Sequence, residues 1–63
     1  MAARAELSSL ASTLTEVTRR VTGLAEQSRT EGDDDLAHEL FAVERALNGA
    51  LRRLDRAAGG RGD

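Results

Sequence analysis

Apolar residues recur at alternating spacings of three and four in both halves of this chain, and the two series match when the chain is folded back on itself. The first runs Ala3, Leu7, Leu10, Leu14, Val17, Val21, Leu24; the second runs Leu36, Leu40, Val43, Leu47, Ala50, Leu54, Ala57. Steps of three and four bracket the turn of an α-helix, so each series lies along one side of a helix. Set antiparallel, Val21 meets Leu40, Val17 meets Val43, Leu14 meets Leu47, Leu10 meets Ala50 and Leu7 meets Leu54. The expected fold is all-α: an antiparallel two-helix hairpin of coiled-coil type, zipped through the a and d positions of a heptad repeat.

One domain, 1–63, is expected, with a first helix over about 3–29, a turn at 30–34, a second helix over about 34–58 and a flexible tail at 59–63. There is no proline to interrupt either helix. Gly32 suits the left-handed conformation that ends a helix, and an Asp at 33 or 34 suits the cap of the next. The remaining Asp side chains then fall where the partial positive charge of a helix start favours carboxylates. That role accounts for the acidic triplet near His38 without a metal. Asn48-Gly49 is a favoured two-residue hairpin turn. The helical phase nevertheless runs unbroken from Leu47 through Ala50 to Leu54, and a continuous helix is expected. Arg61, Gly62 and Asp63 spell a short adhesion tripeptide, which in a Gly-rich tail is read as coincidence.

At 63 residues the chain falls short of the roughly 70–80 at which a single core becomes comfortably stable. It has no cysteine for disulfides, and its single histidine belongs to no ligand cluster, so no metal and no cofactor is expected. Self-association or a partner is the remaining source of stability. Nine positive and eleven negative side chains leave a net charge of −2, which argues against a general polyanion binder. All nine positives are Arg, and the absence of Lys and Ile fits a GC-rich bacterial genome. Residues 1–6 lack the apolar core of a signal peptide, and no run approaches the roughly 20 apolar residues of a membrane span. The expected location is the cytoplasm.

With Leu7, Leu14, Val21, Leu40, Leu47 and Leu54 at a, the two flanks of the seam differ. On the g side, Glu6 falls opposite Arg53 and Arg20 opposite Glu39, pairs that would select the antiparallel orientation. The e side and its neighbouring b positions are small, uncharged or apolar, and carry the two large hydrophobes outside the ladder, Phe41 and Leu51. This flank is the expected protein interface: Phe41 and Leu51 as anchors, Ala11, Thr15, Thr18, Thr22, Ala25 and Ala37 as a close-approach surface, and Glu44 as an orienting charge. Charge is also polarised along the hairpin. Glu31 to Glu44 holds six acids and no Arg, whereas Arg45 to Arg61 holds five Arg against Asp55 alone. A twofold dimer with unlike ends together, an antiparallel four-helix bundle, satisfies both features.

In length and expected layout the chain resembles the Rop family of plasmid copy-number regulators, dimers of helical hairpins that bind paired RNA loops. The likeness is one of size and architecture, without a shared motif. It implies RNA binding through basic and polar residues and an aromatic on the first helix. Here the first helix has no aromatic and no Lys, and offers Arg4, Arg19, Arg20 and Arg29 to phosphate.

The leading functional expectation is a non-enzymatic interaction or regulatory module, partnered by a second copy or by a helix of another protein. The alternative is nucleic-acid binding through the Arg-rich open end, Arg45, Arg52, Arg53 and Arg56. Catalysis is not expected, because a two-helix hairpin offers no sheltered site where acids, bases and nucleophiles converge. Membrane-surface binding is not expected either, since Glu6, Glu16 and Glu26 are interspersed with the Arg of the first helix.

Overall fold

The computed structural model describes residues 2–59; the expected tail beyond Gly59, with Arg61, Gly62 and Asp63, lies outside them. Two helices pack against each other, α1 (Ala2–Thr30, 29 residues) and α2 (Asp34–Gly59, 26 residues), and among the described residues there is no strand. The hairpin extends 47 × 17 × 12 Å. Arg4 closes its open end by donating from Nη1 to the Ala57 carbonyl at 2.6 Å, which ties the start of α1 to the end of α2.

Glu31, Gly32 and Asp33 make the turn. Gly32 takes φ 85°, a conformation that costs an L-residue with a side chain on the order of 1–2 kcal/mol. Its amide donates to the Arg29 carbonyl at 3.1 Å, and the Asp33 amide reaches back to the Ser28 carbonyl at 2.9 Å. This paired arrangement satisfies carbonyls that the end of α1 would otherwise leave open. Asp33 then caps α2: its carboxylate accepts from the Leu36 amide at 3.2 Å, while its carbonyl accepts from the Ala37 amide at 3.0 Å. Asp34 and Asp35 follow in the first turn of α2. The chain therefore reverses in one place. Asn48 and Gly49 remain helical, and neither takes a positive φ.

The seam between the helices differs from the one expected. The buried residues are Ala11, Thr18, Ala25 and Ser28 on α1 and Ala37 on α2. With the half-buried Leu7, Leu14, Val21, Leu40, Glu44, Leu47, Leu51, Leu54 and Ala58, they trace heptad positions a and e. The d positions Leu10, Val17, Leu24, Leu36 and Val43 are instead exposed. Relative to an a/d seam, each helix is turned by about 50° about its own axis, at the roughly 100° that each helical residue subtends.

The reason lies in side-chain size. Ala and Thr at e let the backbones approach closely: Ala25 is wholly enclosed, and Ala37 is 4% exposed. Thr18 brings no orphan hydroxyl into this seam, since its Oγ1 donates to the Leu14 carbonyl at 2.7 Å. The rotation also overturns the expected cross-helix pairs. Glu6, Arg20, Glu39 and Arg53 stand well away from the seam and are exposed. Among the described residues the ion pairs are Arg19–Glu16 and Arg29–Glu26, both within α1.

Candidate protein-interaction face

The rotation creates an apolar face. In an antiparallel pair joined through a and e, the d columns of both helices emerge on the same side. Leu10 (50% exposed), Val17 (41%) and Leu24 (54%) line α1, while Leu36 (46%) and Val43 (42%) line α2. Between these columns lie the half-buried a residues Leu7, Leu14, Val21, Leu40, Leu47 and Leu54, so the face is apolar across both helices. Exposed g residues rim it, with Glu6, Arg20 and Gln27 along α1 and Glu39 and Arg53 along α2.

Single exposed hydrophobes are ordinary on protein surfaces, whereas a contiguous apolar patch with a polar rim marks a surface that is covered in use. Covering the remaining half of each large aliphatic side chain is worth on the order of 1 kcal/mol. This is a large sum for a 63-residue chain.

The flank expected to bind a partner occupies a different place. Ala11, Thr18, Ala25 and Ala37 are enclosed between the two helices and present nothing to another molecule. Thr15 is exposed and Thr22 half-buried; their hydroxyls donate to the carbonyls of Ala11 and Thr18 at 2.9 and 3.1 Å. Leu51 and Glu44 are half-buried alongside the seam. Phe41 is half-buried too, with the Arg29 guanidinium carbon 6.0 Å from its ring centroid, so it packs over the turn end of the hairpin and gains cation–π contact there. The small e residues lie where two helices pack together. The approaching helix belongs to the same chain.

Arg45, Arg52, Arg53 and Arg56 are exposed toward the open end of α2, and among the described residues none forms an ion pair. The described residues enclose no pocket, hold no cluster of three or more His, Cys, Asp or Glu placed for a metal ion, and include no helix long and apolar enough to cross a membrane. Two surfaces therefore stand out, the d face and the Arg-bearing end. Comparison of the chain with protein-family models, curated proteins and solved structures finds no match, which leaves these surfaces to carry the functional reading.

Proposed function

We propose that the chain is a non-enzymatic, cytoplasmic protein–protein interaction or regulatory module that works through the d face of its hairpin. The observation that supports this reading is the row Leu10, Val17, Leu24, Leu36 and Val43, every member more than 40% exposed and all on one side of two packed helices. The chemistry suited to it is another helical surface, which inserts its own apolar side chains between these columns and completes a bundle. A small hairpin covered in this way gains the core that its own length cannot provide.

The test compares proteins retained by the tagged wild-type chain, by Val17→Glu and by Phe41→Glu. Val17→Glu places a charge in the centre of the d face and should abolish a specific association, whether with a second copy or with another protein. Phe41→Glu lies off that face and should preserve it. Identical retained sets for wild type and Val17→Glu would overturn the reading.

A second reading, nucleic-acid binding, is supported by the four exposed Arg of α2 that make no ion pair among the described residues. Phosphate contacts would make affinity fall steeply with salt, and replacing Arg52 and Arg56 together with Ala would weaken it across sequences. A mobility shift measured with duplex and hairpin RNA at rising salt tests this. No shift, or one indifferent to salt and to the double substitution, disposes of it.

A further inference from the structure

We infer that the occupant of the d face is a second copy of this chain, laid across it in the opposite direction about a twofold axis through the Val17–Val43 layer. This rests on the proposed use of that face and names its partner. Three observations carry it: the shape of the face, the size of its side chains level by level, and the charge of α2.

The face is broad and shallow. The hairpin's outline on this side, 47 Å by 17 Å, is about 800 Å², so two copies laid along their full length have room for an interface of standard size. With no pocket among the described residues to receive a single inserted helix, the paired rows suit a matching pair of rows.

Side-chain size varies along the strip. The hairpin register sets Leu24 level with Leu36 near the turn, Val17 level with Val43 at the middle, and Leu10 level with Ala50 toward the open end. The turn layer is thus heavy and the open layer light. A second copy running in the same direction would stack four Leu in one layer and two Leu with two Ala in the other. Reversed, it places Leu24 and Leu36 of one copy over Leu10 and Ala50 of the other, so both outer layers hold three Leu and one Ala. The central layer then holds four Val. Even layers avoid both cavities and overpacking, each of which costs stability.

Charge selects the same arrangement. α1 is balanced at either end, with Arg4 beside Glu6 and Arg29 beside Glu26. The polarity resides in the turn and α2, acidic from Glu31 to Glu44 and basic at Arg45, Arg52, Arg53 and Arg56. The reversed stack lays α2 over α2 of the second copy in opposite directions, bringing the acidic half of each onto the basic half of the other. The same-direction stack gathers both acidic turns at one end, where like charges oppose assembly.

The chain has no native cysteine, so single substitutions report the geometry directly. Under mild oxidation V17C and V43C should each give a disulfide-linked pair of twice 6.7 kDa. L10C alone should not link, whereas L10C mixed with L24C should give the mixed pair. Linking of V17C to V43C between copies, without self-linking of either, would overturn the reversed arrangement in favour of the same-direction one. Sedimentation equilibrium should show the unsubstituted chain as a dimer and Val17→Glu as a monomer, with circular dichroism confirming that both are helical. A monomeric unsubstituted chain at tens of micromolar would overturn the second copy as occupant and leave the face to a partner of another sequence, which the retained-protein comparison decides. A Val17→Glu chain that is still dimeric would overturn the use of the d face itself.

Discussion

The e and d columns of these helices flank the same a column, and they have exchanged the roles that size alone would give them. The e column, with Ala11, Thr18, Ala25 and Ala37, is enclosed between the helices, whereas the d column, with Leu10, Val17, Leu24, Leu36 and Val43, is about half exposed. A chain that folded only to maximise its own apolar burial would turn the larger side chains inward. Turning the smaller ones inward lets the two backbones approach closely and leaves the larger ones exposed. Helices in a bundle commonly carry a stripe that spans a, d and e, wide enough to serve two neighbours. Here one neighbour is the other helix of the hairpin, and the second seam is open.

Adjacent residues give the sharpest contrast. Ala25 is wholly enclosed and Leu24, next to it in the chain, is 54% exposed. Ala25→Leu forces new methylenes between backbones at their closest approach and should destabilise the hairpin by about 1–3 kcal/mol. In thermal unfolding followed by circular dichroism this is a drop of about 5–20 °C for a domain of this size, and it should be the same at every protein concentration. An unchanged midpoint would mean that Ala25 lies outside the seam. Leu24→Ala should behave differently. It removes a side chain about half of which stays uncovered in the single hairpin, so a further loss of about 1 kcal/mol per copy should appear at high concentration and fade on dilution. A loss without that concentration-dependent part would move Leu24 into the core of the single hairpin and erase the distinction between the columns.

Much of this fold was legible in the sequence, and the reason is that helix formation is a local matter. The apolar ladders gave two helices, and Gly32 with Asp33 gave the reversal between them, because each of these signals acts within one or two turns of the chain. The choice of seam was less legible. Both a/d and a/e satisfy a seven-residue repeat, and Leu7, Leu14, Val21, Leu40, Leu47 and Leu54 belong to either. What separates them is the depth at which two backbones can pack. That depends on how Ala11, Thr18, Ala25 and Ala37 mesh across both helices at once, which is a pairwise property that neither helix displays alone. The relevant signal was present as a contrast in volume between the columns. The Ala- and Thr-rich one marks where a helix comes closest, and for two helices joined by a three-residue turn the nearest available helix is the one in the same chain.

The smallest expected effect is also the most direct check on which seam is used. Across an a/d seam, Arg20 and Glu39 would face each other, and a double-mutant cycle with Arg20→Ala and Glu39→Ala would yield a coupling of a few tenths of a kcal/mol, the usual worth of an exposed pair. With the seam at a/e, both residues are exposed on the rim of the d face, and neither enters an ion pair among the described residues. Their coupling within the single hairpin should be indistinguishable from zero, measured by urea unfolding in the Val17→Glu background, where association is blocked and only the hairpin contributes. A coupling that persists there would return the helices to the a/d arrangement and close the face on itself. A coupling absent there but present in the associated protein would place both charges at the edge of the second seam, where their part is to orient what binds more than to hold the hairpin together.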